Sequence, residues 1–259
     1  MLFWRSVVVS LLLAVPTTQA AETPARIAII IDDLGYQLEA GERTVALPGP
    51  VACAVLPLTP RGEHLAEEAW RNGKEVLLHL PLEAQTATQP EPGGLELDMS
   101  RQQLAATFDE AFYAVPYAIG VNNHRGSLLT RHPGHMRWLM EEIRGRGGLF
   151  FVDSFTTHES VALKLARESG VPAIRRDVFL DNDRAPAQIS KQFERLKRLA
   201  KARGLAVAIG HPYPETLTLL EEELPRLADE GIELIKLSLL VSLQVEQRAA
   251  AGVRRAAGE

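Results

Sequence analysis

Five apolar, strand-like runs in this 259-residue chain each lead into a short polar signature. Arg26–Ile30 runs into Ile31-Asp32-Asp33, Val76–Leu78 into His79, and Ala118–Val121 into Asn122-Asn123-His124. Leu149–Val152 runs into Asp153, and Leu205–Gly210 into His211. Carboxylates at buried strand ends are costly unless they are paired or hold a metal. A parallel α/β fold brings the C-terminal ends of its strands to one face. On such a fold the scattered signatures become one site.

The segments between the runs read as amphipathic helices. Gly62–Asn72 places Leu65, Ala66, Ala69 and Trp70 on one face, and Pro133–Arg146 does the same with Met136, Leu139, Met140 and Ile143. Ser100 is an N-cap for Arg101–Tyr113, Glu159–Gly170 and Ala185–Arg203 read as helices, and Pro214–Asp229 carries a leucine stripe. Further strands are expected at Val51–Leu56, at Ala173–Arg175 or Val178–Leu180, and at Ile232–Leu237. Strands separated by helices imply right-handed parallel crossovers. Seven or eight such units predict a distorted or open (β/α) barrel over residues 25–240, with 244–259 expected to be a disordered tail or a frayed helix.

Net charge is −5, which gives no basic footprint and argues against nucleic acid as a partner. The single cysteine, Cys53, lies in an apolar run and excludes an internal disulfide. At the N-terminus, Arg5, the apolar stretch Val7–Val15 and Thr18-Gln19-Ala20 have the layout of a secretory signal peptide over residues 1–20. The competing reading is an uncleaved anchor. The expectation is export across the cytoplasmic membrane, to the periplasm in a Gram-negative host, with no membrane span left after cleavage.

The residue types point to metal-assisted proton transfer. Neighbours in an extended segment face opposite ways, so one carboxylate of Asp32-Asp33 can bind a cation while the other, raised in pKa by burial, takes a proton. Taken alone, the pair reads better as a helix cap plus an exposed acid, and the histidines at other strand ends turn the reading toward function. His79, flanked by leucines, alone reads as a core histidine, and Glu83 four positions on is either a second ligand or a solvated acid. His124 is expected to face the barrel mouth. Asp153 would orient a histidine or bind metal, and His211 would act as a general acid. His64, His132, His135 and His158 read as surface, packing or helix-start residues. The chain has no glycine-rich phosphate loop, nucleophile elbow or cysteine zinc motif.

Together, Ile30-Ile31-Asp32-Asp33-Leu34-Gly35, Leu78-His79-Leu80-Pro81-Leu82-Glu83, Gly120-Val121-Asn122-Asn123-His124-Arg125-Gly126-Ser127, Phe151-Val152-Asp153-Ser154 and Ile209-Gly210-His211-Pro212 resemble the divergent polysaccharide deacetylase family. The resemblance implies a distorted (β/α) barrel, a divalent metal and removal of acetyl groups from a glycan. It implies Asp32 as the base, Asp33 as a metal ligand and His211 as the late acid. Deacetylases carry two histidines four residues apart after the third strand. Here Glu83 stands at that spacing from His79, and His124 is expected to supply the missing imidazole. The usual Arg-x-Pro-Tyr segment is not evident. The resulting expectation is Zn²⁺ on Asp33, His79 and His124, with Asp32, His211 and Asp153 as catalytic groups and a carbohydrate substrate. Two alternatives are a non-catalytic envelope protein on a degenerate barrel, and a metal-free glycosidase using Asp32 and Asp153.

Overall fold

The computed structural model describes residues 24–86 and 89–256, so the predicted signal segment 1–20 lies outside the described residues. Eight strands follow one another around a single parallel sheet: β1 (Ala25–Leu34), β2 (Ala52–Val55), β3 (Val76–Leu82), β4 (Ala118–Arg125), β5 (Phe150–Asp153), β6 (Ala173–Arg175), β7 (Val178–Phe179) and β8 (Leu205–Gly210). Their order is β6-β5-β4-β3-β2-β1-β8-β7, so β6 and β7 are the two ends of the path. Only Arg176 and Asp177 separate those ends in the chain. Three Cα–Cα steps reach at most about 11 Å, so the sheet must curl until its edges meet. The Arg176 N–H donates to the Asp153 carbonyl at 3.1 Å, and the Asp177 N–H donates to the Val207 carbonyl at 3.0 Å. This seam completes the predicted distorted barrel. Both candidates for the sixth strand form, one on each side of it.

Side-chain alternation divides the core in two. Ile27, Ile29 and Ile31 of β1 face outward, and Leu78 of β3 and Phe151 of β5 do the same. They pack with residues of the surrounding helices α1 (Leu38–Val45), α2 (Gly62–Arg71), α3 (Arg101–Tyr113), α4 (Pro133–Gly145), α5 (Ala162–Glu168), α6 (Pro186–Arg203) and α7 (Pro214–Glu223). Ala28, Ile30, Ala54, Leu77, Phe150, Val152, Ile174, Val207 and Ile209 fill the barrel interior. Of the strands that carry a signature, β1, β3, β5 and β8 point apolar residues inward before polar ones take over at their C-terminal ends, and β4 places Gly120 there before Asn122.

The strands run further than the apolar runs alone indicate. β1 includes Asp32 and Asp33, and β4 includes Asn122 to Arg125. The extra length comes from pairing, because β3 and β4 stay in register from His79↔Asn122 to Leu82↔Arg125. The helix expected over Pro214–Asp229 divides at Pro225: α7 ends at Glu223 and a 3₁₀ turn covers Leu224–Glu230. Proline has no N–H for the α ladder and its ring crowds the preceding turn.

Of the two expectations for the tail, disorder and a frayed helix, the described residues take the helical one. Residues Leu237–Ala256 form helix α8, after a short strand β9 (Ile232–Leu234) that pairs with the first residues of β1. Leu237, Leu240 and Val241 join the interior cluster from the N-terminal end of the barrel and plug it. Glu75, just before β3, fastens the plug: its carboxylate accepts from the Ser238 N–H at 3.0 Å and the Ser238 hydroxyl at 2.5 Å. An anion at a helix N-terminus satisfies free N–H groups there. No described helix is long and apolar enough to cross a membrane.

Gly120 of β4 tests the interior packing. A Cβ built there would lie 2.6 Å from the ring of Phe150. Gly120→Ala is expected to lower unfolding free energy by about 1–3 kcal/mol through overpacking, read as a lower urea midpoint. An unchanged midpoint would contradict the placement of Phe150.

Candidate active site

The polar ends of β1, β3 and β4 meet at the C-terminal mouth of the barrel. Their meeting depends on an irregularity in β1. Regular alternation would put Asp32 inside and Asp33 outside, but the pairing of β1 with β2 shifts between Ile31 and Leu34. Asp33 takes a positive φ of 60°, a conformation that Asp tolerates better than most residues. Both carboxylates thereby reach the same site, while Leu34 returns to the outer core.

Asp33 Oδ1, His79 Nε2 and His124 Nδ1 form a triangle with sides of 3.1, 2.8 and 3.2 Å. Ligands about 2.0–2.1 Å from a tetrahedral zinc stand about 3.3–3.4 Å apart, so this triangle suits one small divalent cation. Hydrogen bonding fixes which nitrogens face inward. Asn122 Nδ2 donates to Asp32 Oδ1 at 2.8 Å, which turns the amide oxygen to His79 Nδ1 at 2.9 Å. A carboxylate only accepts, so this orientation of Asn122 follows from chemistry, and His79 Nδ1 carries the proton. On the other ring, His124 Nε2 lies 3.2 Å from Glu91 Oε2, leaving Nδ1 for the centre. Such outer partners orient metal-binding histidines. Two ring-nitrogen lone pairs and a carboxylate oxygen then converge, which is unfavourable unless a proton or a cation lies between them.

The electrostatics of the protein groups themselves reflect that convergence. Burial pulls the His79 pKa down, but the charge of Asp32 and the hydrogen bond and charge of Asp33 outweigh it and raise it to about 9. For Asp33 the cost of burial is overcome by hydrogen bonds from His124 and His79, which hold its carboxyl well below the usual range. Burial pushes Asp32 upward, against the fields of His79 and His211. Asp32 Oδ2 lies 3.7 Å from His79 Nε2, beside the triad rather than in it.

His211 closes the opposite side, with Nε2 at 3.7 Å from Asp33 Oδ2. Its orienting carboxylate is Asp181, not Asp153. Asp181 takes His211 Nδ1 at 2.8 Å and the His211 backbone N–H at 2.6 Å, and the Thr216 hydroxyl at 2.7 Å. Although burial lowers the His211 pKa, the hydrogen bond and charge of Asp181 raise it on balance. Asp153 is turned outward by alternation in β5. Its two oxygens accept from the Phe155 N–H and the Ser160 hydroxyl, both at 2.9 Å, so it holds the loop after β5 and neither orients His211 nor joins the triad. That arrangement removes the partner needed for a glycosidase pair with Asp32. Glu83 is also outside the site: its carboxylate accepts from the Leu97 N–H at 2.7 Å. The predicted residues Asp32, Asp33, His79, His124 and His211 are brought together. Asn122 as orienting amide, Glu91, Asp181 and Arg176 were not assigned these roles from the sequence. Asp181 does follow the apolar Val178–Leu180, the same signature as the others.

These groups border a cavity of about 310 Å³ at the barrel mouth, with Arg176, Phe179, Ser154 and Thr156 on its far wall. A parallel barrel with an Asp/His₂ cluster and a flanking Asp and His at its C-terminal end offers three donors to a small cation and two proton-transfer groups beside them. A family model for divergent polysaccharide deacetylases matches residues 29–241, and the chain belongs to that family. An uncharacterized protein of Haemophilus influenzae is 38% identical over 211 residues, covering 82% of this chain and 75% of its own. An uncharacterized protein from Agrobacterium tumefaciens shares the fold at a TM-score of 0.80 and 24% identity, over 84% of this chain and 89% of that one. The catalytic domain of a peptidoglycan N-acetylglucosamine deacetylase from Eubacterium rectale shares it at 0.52 and 13% identity, over 84% and 90%.

The raised pKa of His79 makes metal-free stability depend on pH. Its protonation contributes stability that is fully present below about pH 6.5 and lost as pH rises through about 9. Urea midpoints of the chelated protein are expected to fall across that window, and His79→Asn is expected to flatten the slope. A wild-type slope equal to that of the variant would show that His79 is not charged there.

Proposed function

We propose that this protein is an exported, metal-dependent hydrolase that removes acetyl groups from an envelope glycan. The observation that carries the reading is the convergence of Asp33 Oδ1, His79 Nε2 and His124 Nδ1, with Asp32 and His211 on either side. Asp33, His79 and His124 would hold the cation, and the Asp/His₂ set favours zinc while tolerating neighbouring transition metals. When bound, such an ion polarises a carbonyl and lowers the pKa of water.

The chain's own groups divide the proton work. Asp32 is buried and directed by the Asn122 amide, so its free oxygen takes a proton from the attacking water. His211, oriented by Asp181 and with its pKa raised by that carboxylate, gives a proton from Nε2 to the departing amine or alkoxide. Asn122 couples the two halves, because one amide group aligns both the base and a metal-binding histidine. Export rests on the sequence of residues 1–20 and the glycan substrate on family membership.

The purified chain is expected to hold about one zinc, with Asp33→Ala and His124→Ala losing it. Asp32→Asn is expected to keep the metal and lower acetate release from acetylated glycans by about 10²–10⁴-fold. Metal content by mass spectrometry and acetate release by enzymatic assay check both. Zinc binding with no acetate release from any acetylated glycan would favour the non-catalytic alternative, and absence of zinc binding would defeat the metallohydrolase reading. Asp181→Asn is expected to shift the titration of His211 to lower pH, followed by imidazole NMR of the metal-free protein. An unmoved titration would remove Asp181 from its orienting role.

A further inference from the structure

Arg176 is a charged side chain in the barrel mouth for which the hydrolytic scheme has no use. It reaches the cavity by alternation across the seam: Ile174 faces the interior, Arg175 is exposed on the outside, and Arg176 lines the cavity wall. A guanidinium has five N–H donors. Here Nε donates to the Ser154 carbonyl at 2.8 Å and Nη2 to the Phe155 carbonyl at 3.3 Å, which leaves three donors. Among the described residues no carboxylate pairs with Arg176. The carboxylates whose fields reach it, Asp32 and Asp153, are hydrogen-bonded elsewhere. Its plane is steadied by the ring of Phe179, 4.5 Å from the guanidinium carbon.

A second observation lies beside it. The Ser154 hydroxyl is buried, lines the same cavity and has no hydrogen-bond partner among the described residues. Buried polar atoms without partners are few in native proteins, and each calls for an explanation such as a ligand. The Ser154 carbonyl is itself held by Arg176, so the hydroxyl and the guanidinium belong to one rigid patch. The other arginine at the mouth, Arg125, is already paired with Glu91 at 2.8 Å.

We infer that the glycan entering this cavity is acidic, and that Arg176 with the Ser154 hydroxyl binds a carboxylate on the sugar that bears, or adjoins, the acetyl group. Neutral sugar hydroxyls would occupy the donors but leave a desolvated cation without a counter-charge. A carboxylate supplies the charge and matches the planar fork in two parallel hydrogen bonds. This inference rests on the glycan reading above and specifies its substrate class.

The test compares binding of two probes to the zinc-incubated full chain by calorimetry: an N-acetylglucosamine–glucuronate tetrasaccharide and its methyl ester, which differ only in charge and a methyl group. The acid is expected to bind at least about 10-fold more tightly than the ester, the scale of a charge-assisted hydrogen bond. In Arg176→Gln the ratio is expected to fall to within about twofold, with Arg176→Lys intermediate because it keeps the charge without the fork. A wild-type ratio near one, or binding of neither probe, overturns the inference. So does a ratio that survives Arg176→Gln, which would put the carboxylate on the metal triad instead. Should Arg176→Gln fail to fold, the wild-type ratio and its response to Arg176→Lys and Ser154→Ala decide. Zinc content, measured on the same samples, tests the metallohydrolase reading separately. A chain without zinc that still prefers the acid, and loses the preference in Arg176→Gln, would refute that reading and keep this one.

Discussion

The two-residue seam between β6 and β7 is the constraint on which the rest of the architecture depends. Arg176 and Asp177 bond backbone to opposite ends of the sheet, one to the carbonyl of Asp153 and the next to that of Val207. A chain that must satisfy both within one peptide step cannot leave the sheet flat. Curling makes an inside, and an inside gives the period-two alternation of each strand its meaning. Residues such as Ile30, Leu77 and Val152 then fill a common interior, and the next inward positions, Asp32 after Ile30, His79 after Leu77 and Asn122 after Gly120, are stacked on that apolar floor. The low-dielectric floor strengthens the hydrogen bonds above it and makes unpaired charge expensive.

A single local distortion decides whether the floor carries one carboxylate or two. In a regular strand Asp33 would be lost to the outer face. The left-handed turn at Asp33 brings it to His79 and His124, and the interactions gained there offset a conformation that costs of order 1–3 kcal/mol. Backbone strain held at a site by its surroundings is a familiar way of presetting geometry.

The barrel was legible from the sequence because its strands are short apolar runs separated by helices with clear faces. The cluster of Asp33, His79 and His124 was legible because each member stands close behind such a run: His79 directly after Val76–Leu78, Asp33 and His124 a few positions past theirs. What escaped were residues whose roles are set across strands rather than along them. Asn122 matters because β4 stands opposite His79 in register, and Asp181 because β7 lies beside β8. Asp153 had the right local signature and the wrong parity: Val152 occupies the inward position, so the carboxylate turns to the loop. The tail 244–256, legible only as disordered or a frayed helix for want of a continuous apolar stripe, continues a helix whose first turns, Leu237 to Val241, are held by the barrel they close.

That closure has a topological consequence. With Leu237, Leu240 and Val241 packed into its floor, the barrel is a cup and not a tunnel. A polymer cannot thread it, and anything that enters must leave by the same rim. The groups at the mouth are therefore reached from that rim alone. Whatever they act on approaches, and whatever they release departs, through one opening.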